Sequence, residues 1–309
     1  MSFCPLRIGT RGSPMALRQT TLVRDRLAAA HPDLAAPGVV EIVTIRTTGD
    51  RVQDRVLAEI GGKGLFAKEI EEALLAGRID LAVHSLKDLE TWLPEGLAIA
   101  CVLPRDDPRD VFVSASGASL AALPRGARVG TASLRRQAQL LRYRPDLAVV
   151  PIRGNVGTRL RKLEAGELDA IVLALSGLAR LDLIAHATEI LAHEVMLPAV
   201  GQGALAIECR ADDEMVRRLV EPLHDPVSAA CVGAERAMLV ALDGSCRTPI
   251  AGLAEAENGR LRLEGRLLKQ DGSDEVRGTR QGAIADAEAI GLELGRELRR
   301  RAGFGFVLD

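Results

Sequence analysis

Aromatic side chains are scarce: one Trp, one Tyr and five Phe among 309 residues. Any core must therefore be aliphatic, drawn from Leu, Val, Ile and Ala. The overall balance, 47% hydrophobic and 27% charged, is that of an ordinary globular protein. Long apolar runs are also missing. None approaches the ~18–20 residues of a membrane span, and the opening "MSFCPLRIGT" has no charged-then-apolar leader. The expectation is a cytoplasmic protein with no membrane partner. Cysteines number five (Cys4, Cys101, Cys209, Cys231 and Cys246), an odd count at wide spacings without a CxxC pair. That argues against a disulfide framework and a structural zinc site, and no metal is expected. A net charge of −2 offers no global field to recruit nucleic acid. Lysine is the last shortage, with only five Lys among 40 basic residues. Either coding bias produced the arginine excess, or the chain recognises anions, because a guanidinium grips a carboxylate with two parallel bonds where an ammonium cannot. Composition leans towards the first reading; position must decide.

What is present is a repeated order of elements. "LRIGT" reads as a strand. "SPMALRQTTLVRDRLAAA" reads as a helix, with Ser13 at the N-cap and Pro14 at the first helical position. "VVEIVTIRT" is a strand, "LFAKEIEEALLAG" a helix and "IDLAVHSL" a strand, the pattern of a parallel sheet covered by helices. Residues 128–154 and 157–178 repeat that order: a strand ending in Gly-Thr, a Ser and Arg, a helix, then a helix whose closing Ala-Gly leads into an apolar strand. Two such halves predict two α/β lobes facing each other across a cleft. "LPRDDPRDVF" (103–112) and "MLPAVGQGALAIE" (196–208) are rich in breaker residues and predict two crossings, a paired hinge. From about residue 224 the pattern changes to a helix, three strands joined at Asn-Gly and Asp-Gly, and a basic-ended helix. The fold class expected is α/β, two similar lobes of periplasmic-binding-protein type around a cleft, plus a small α+β C-terminal domain with a three-stranded sheet. The expected division is 1–103 with 203–223, then 104–202, then 224–309.

The arginines cluster by position. Arg11 follows the first strand. Arg135 and Arg136 lie in the first turn of the helix that Ser133 begins, where a cation is unfavourable by roughly 0.3–1 kcal/mol unless an anion sits among them and the free backbone N–H groups. Arg153 follows another strand and Arg159 enters the next helix. All map to the carboxyl edge of the strands, where open α/β sheets bind ligands. "GGKGLF" (61–66) brings glycines and Lys63 that could cradle an anion, yet lacks the spacing of a nucleotide-binding phosphate loop and reads more readily as a flexible loop. "LAVHSLKDL" (81–89) ends a strand in His84, Lys87 and Asp88. Lys87-Asp88 is either a surface ion pair or an Asp facing a cation beside a Lys that neutralises a carboxylate. His84 reads more readily as a hydrogen-bonded structural residue than as a base. Cys246, in "ALDGSCRTPI", lies in a turn beside a cation, where no local apolar run would bury it.

Eight segments occur in order from residue 9 to residue 246: "GTRGSPMAL", "GGKGLF", "HSLKD", "DPRD", "GTASLRRQ", "RGNVGTRL", "PAVGQGAL" and "GSC". Together they closely resemble the porphobilinogen deaminase (hydroxymethylbilane synthase) family. The resemblance runs the length of the chain and is weakest after residue 250. It implies a transferase that joins four porphobilinogens head to tail with release of ammonia, giving the linear tetrapyrrole hydroxymethylbilane for haem biosynthesis. It implies a dipyrromethane cofactor bound covalently as a thioether, and Cys246 matches the attachment point. A thiolate is a soft nucleophile suited to a pyrrole methylene cation. Asp88 matches the catalytic aspartate, which stabilises the positive charge that develops as ammonia leaves. By the same pattern Lys87, Asp88, Thr131, Ser133, Arg135, Arg136 and Arg159 hold the cofactor. Arg11, Ser13, Lys63, Arg153, Arg159 and Arg180 face the substrate and growing chain, with Phe66 lying against a ring. Porphobilinogen is the one partner implied, and a monomer the assembly. The sequence departs from the pattern at Glu59, where some members have Lys, and in "KDLETWLP", which replaces "KDVP".

The chief rival is a non-catalytic two-lobed anion-binding protein. A transport receptor would need an export signal and a regulator a DNA-binding module, and neither role explains Cys246. A Schiff-base enzyme using Lys87 is a second rival.

Overall fold

The computed structural model describes residues 5–51, 66–243, 249–303 and 306. In chain order its elements are β1 (Leu6–Arg11), α1 (Pro14–Ala30), β2 (Val40–Ile45), α2 (Thr48–Arg51), α3 (Lys68–Leu75), β3 (Leu81–Ser85), β4 (Leu97–Val102), β5 (Asp110–Ser114), β6 (Arg128–Gly130), α4 (Leu134–Tyr143), β7 (Ala148–Val150), α5 (Val156–Glu164), β8 (Ala170–Ala174), α6 (Leu175–Arg180), β9 (Glu189–Ile190), β10 (Leu205–Arg210), α7 (Glu214–Val220), α8 (Pro226–Ala241), β11 (Ile250–Glu257), β12 (Arg260–Leu268), β13 (Glu275–Ala283) and α9 (Ala287–Ala302). They form two compact units, Met1–Arg105 with Ala204–Ala229 and Asp106–Gly203 with Ala230–Asp309.

The first unit holds a five-stranded sheet in the order β2-β1-β3-β10-β4. Helix α1 starts where the sequence predicts. Pro14 supplies a preset φ, and Ser13 Oγ accepts the Ala16 N–H at 3.2 Å, satisfying one of the open donors of the first turn. Its Val23 and Leu27 pack on Ile8, Leu81, Val83 and Ile207. Side chains alternate along β3, so Ala82 and His84 point to the other face, where Ile70 and Leu74 of α3 close a second apolar layer with Ala82.

The second unit repeats the plan, with a five-stranded sheet ordered β7-β6-β8-β5-β9. Its core is aliphatic apart from Phe112, one of the few aromatics and fully buried. A separate antiparallel sheet, β11-β12-β13, packs its apolar face against α8 and α9. Its first turn falls at Asn258-Gly259, both at positive φ (50° and 75°), the conformation a two-residue hairpin demands.

The sheets differ from the expectation in one respect. The βαβ alternation predicts parallel sheets, and both large sheets are mixed. β10 is antiparallel to β3 and β4, and β5 is antiparallel to β8 and β9. Each of these strands is the first element after the chain passes from one unit to the other, at 105–106 and 203–204. A strand entering from outside the βαβ series is not bound by the crossover rule that keeps the series parallel.

Candidate active site

The parallel strands fix where the candidate residues fall. β1 and β3 pair in register, Ile8 with Leu81 and Gly9 with Ala82. Their carboxyl ends lie at one sheet edge, which carries Arg11, Ser13, Lys87 and Asp88. The Arg11 guanidinium carbon lies 4.1 Å from the centre of the Phe66 ring, a cation–π contact. β3 ends at Ser85, and Leu86–Asp88 forms a single turn of 3₁₀ helix. The turn is anchored on both sides. Gln19 Nε2 donates to Ser85 Oγ at 2.8 Å, and the Leu86 N–H donates to the Ala204 carbonyl at 3.0 Å. Lys87 is half-buried and Asp88 exposed.

The second unit places Thr131 and Ser133 at the corresponding edge. The Thr131 N–H donates to the Val150 carbonyl, and its Oγ1 accepts the Ser133 N–H at 3.1 Å. Ser133 Oγ in turn accepts the Arg136 N–H, capping α4 as Ser13 caps α1. Arg135 and Arg136 turn inward and are 5% and 6% exposed. They close on Asp110, which is wholly buried. Arg135 Nη1 lies 2.8 Å from Oδ2, and Arg136 Nη2 donates to Oδ1 at 2.7 Å. Gln202 Nε2 adds a bond to Oδ1 at 2.9 Å. Burial alone would raise the Asp110 pKa, but the two guanidiniums outweigh it and hold the carboxyl well below the usual carboxylate range. The anion that two arginines in a first helical turn require is thus supplied internally. Arg135 also donates to the Leu197 carbonyl and Arg136 to the Val172 carbonyl.

Arg153 follows β7, and Gly154 takes φ 110° before Asn155 caps α5. Arg159 Nε donates back to the Gly154 carbonyl at 2.8 Å. Arg180 ends α6 and donates to the Asp106 carboxylate at 2.8 Å and the Gly203 carbonyl at 2.6 Å. Cys246 and Lys63 lie outside the described residues. α8 ends at Ala241 and β11 starts at Ile250, so Cys246 belongs to the link between them.

Residues 6–218 match the family model described as "Porphobilinogen deaminase, dipyromethane cofactor binding domain". The chain belongs to the porphobilinogen deaminase family. Residues 229–300 match the model of that family's C-terminal domain. The porphobilinogen deaminase of Nitrobacter winogradskyi is 55% identical over 97% of this chain and 94% of its own. That of Paracoccus denitrificans is 56% identical over 98% and 96%. A chloroplastic porphobilinogen deaminase of rice is 50% identical over 97% and 85%. Among solved structures, a periplasmic binding protein of Brucella ovis with glutathione bound aligns at a TM-score of 0.40 and 17% identity, over 77% of this chain and 69% of its own.

The donor set fits the family's dipyrromethane, which carries carboxylates and pyrrole N–H groups. Taken separately, the first unit carries an exposed carboxylate, Asp88, of the kind a pyrrole N–H can donate to, and the second carries guanidiniums and a Ser133-capped helix N-terminus of the kind that suit carboxylates. Arg135 Nε, though buried, has no hydrogen-bond partner among the described residues. Sequence reasoning missed Asp110 and Gln202 as the partners of the Arg135–Arg136 pair. The signal was partial: Asp110 opens the apolar strand "DVFV", and a carboxylate drawn into a sheet core must face cations. It also missed Glu208, an acid inside the apolar strand "LAIEC".

Proposed function

We propose that this chain deaminates and condenses four porphobilinogens head to tail into hydroxymethylbilane, on a dipyrromethane held by Cys246. The observation that carries the reading is the exposed Asp88 carboxylate on a turn whose start is anchored to α1 and to the Ala204 carbonyl, at the same sheet edge as Arg11 and Lys87. The bound dipyrromethane supplies the free pyrrole position at which the new carbon–carbon bond forms. Asp88 accepts hydrogen bonds from pyrrole N–H groups and opposes the positive charge that grows as ammonia departs. Such stabilisation is strong because the carboxylate is already in place when the charge appears. Lys87, Thr131, Ser133, Arg135, Arg136 and Arg159 hold the cofactor. Arg135 and Arg136 act mainly by setting the first turn of α4, since Asp110 occupies part of their bonding capacity. Arg11, Ser13, Lys63, Arg153, Arg159 and Arg180 bind the acetate and propionate groups of the substrate and growing chain, and Phe66 packs on a pyrrole ring. In the first unit the Arg11–Phe66 contact supports that pairing of a cation with a flat apolar face.

On this reading the domains are 1–103 with 203–223, 104–202, and 224–309, the last presenting the Cys246 link. The protein works in the cytoplasm as a monomer, with a small molecule as its partner and neither nucleic acid nor membrane. Intact-mass measurement tests the core of the proposal. Native protein should exceed its sequence mass by one dipyrrole. Cys246→Ser should lose that increment and the activity together, and Asp88→Ala should fold yet lose turnover. A bare Cys246 in active material would end the reading.

A further inference from the structure

Three titratable side chains meet in the apolar layer between α3 and the sheet of the first unit, and the proposed chemistry uses none of them. Glu208 of β10 is wholly buried, and Glu71 of α3 and His84 of β3 are 7% and 8% exposed. His84 Nε2 lies 2.9 Å from Glu208 Oε2. No well-directed hydrogen bond reaches either Glu208 oxygen, Glu71 Oε1 or His84 Nε2 among the described residues. Strand register explains the meeting. Ala206 faces His84 and Ala82 faces Glu208, so the two polar residues sit diagonally on one face, with small side chains opposite each. A carboxylate this deep is strongly unfavourable unless a polar partner faces it, and the His84 ring is the group placed against it.

The charges around Glu71 come from every side. Glu208 faces it from β10, His84 from β3 and Glu90 from the segment after the 3₁₀ turn. On β1, Arg7 is engaged with Asp80 and Arg11 lies over Phe66; the one cysteine of β4, Cys101, belongs to the opposite apolar layer. Within α3 itself, Glu69 accepts from the Thr48 N–H. Burial, then the Glu208 carboxylate, push the Glu71 pKa up to about 7, with Glu90 adding and His84 opposing.

We propose that the buried Glu208–His84 pair positions the Lys87–Asp88 turn for catalysis. The inference rests on the reading of Asp88 given above. His84 is the last interior residue of β3, and the chain leaves the sheet one residue later. The attraction of Glu208 holds the ring down on the sheet and so fixes the direction in which Ser85 and the turn depart. Glu208 Oε2 and His84 Nε2 stand 2.9 Å apart, with Glu71 beside them. Ionisation of Glu71 sets a second buried carboxylate beside Glu208, and the end of β3 loosens.

The test compares Glu71→Gln, His84→Gln and Asp88→Asn with the wild type as holoenzymes, cofactor content being checked by intact mass. Glu71→Gln imitates the protonated acid and should fold. Wild-type kcat should fall through a step near pH 7, and the kcat of Glu71→Gln should stay flat between about pH 6 and 8. His84→Gln should lower kcat about tenfold or more, with KM within about threefold and the cofactor retained. A purely structural role would lower the melting temperature and leave the pH profile where it was. Superimposable pH profiles for Glu71→Gln and wild type overturn the proposal, as does wild-type kcat in His84→Gln. If His84→Gln fails to fold, the Glu71→Gln profile decides alone. Turnover lost in Asp88→Asn but kept in His84→Gln sinks this proposal only. Full turnover in Asp88→Asn sinks the reading of the site, and this inference with it.

Discussion

Asp110 and Glu71 are both buried acids, and their surroundings drive them in opposite directions. Asp110 faces two guanidiniums and keeps its charge; burial and then the Glu208 carboxylate make Glu71 hold its proton up to about pH 7. The consequences for stability carry opposite signs. The folded-state pKa of Asp110 is depressed, so its contribution is present above the unfolded value, ~4, and is lost as pH falls through the folded one. Asp110→Asn leaves two buried guanidiniums facing an amide. We expect a loss of about 3–5 kcal/mol, the usual result of removing one partner from a buried ion group, measured by urea unfolding at pH 7. The folded-state pKa of Glu71 is raised from 4.5 to about 7. Its contribution is complete below the unfolded value and is lost as pH rises towards 7. Glu71→Gln should therefore flatten the stability curve between those pH values, removing a slope worth up to about 3 kcal/mol. Parallel urea titrations of the two proteins at pH 5 and pH 7.5 check the sign; a larger pH dependence in the variant would refute it.

At the scale of elements, α8 is the helix that leads in sequence to the Cys246 link, and α9 packs against it. Gly291 and Gly295 of α9 lie one turn apart against α8. A Cβ on Gly291 would come within 2.1 Å of the Ala234 carbonyl oxygen, and one on Gly295 within 2.5 Å of that of Met238. The obstacle is backbone, which cannot swing aside. Gly295→Val should force the helices apart and destabilise by about 1–3 kcal/mol, read as a shift of the urea midpoint. Incorporation of the dipyrrole should fall with it, because α8 leads into the Cys246 link. The elements themselves were legible in the sequence because local rules fix them. Ser13 and Ser133 cap helices as their position before an apolar period dictates, and Asn258-Gly259 makes the hairpin its φ values require. The antiparallel strands β5 and β10 were not legible. Periodicity reports which face of a strand is apolar and carries nothing about its direction. The edge that gathers Arg11, Lys87 and Asp88 followed from the βαβ order. The inward turn of Arg135 and Arg136 did not, since Asp110 lies 25 residues away in sequence from the nearer of them and only tertiary structure joins them.

For the whole molecule, the sum of charges is nearly neutral, −2 over 309 residues. A substrate that bears carboxylates is therefore not drawn in from a distance by net charge, and on the proposed reading its capture depends on a few arginines close at hand. Local attraction of this kind is screened over ~8 Å at physiological ionic strength, a length comparable to the substrate itself. Raising KCl from about 0.05 to 0.5 M should then raise KM several-fold and alter kcat by less than about twofold, because bound groups inside the site are shielded far less than groups approaching it. Arg153→Gln should start from a higher KM at low salt and respond less to added salt, having one fewer charge to screen. Steady-state rates of the holoenzyme over that salt range, for wild type and variant, provide the measurement. A KM indifferent to salt in the wild type would mean that apolar or hydrogen-bonding contacts select the substrate, and that the arginine-rich composition of this chain is coding bias after all.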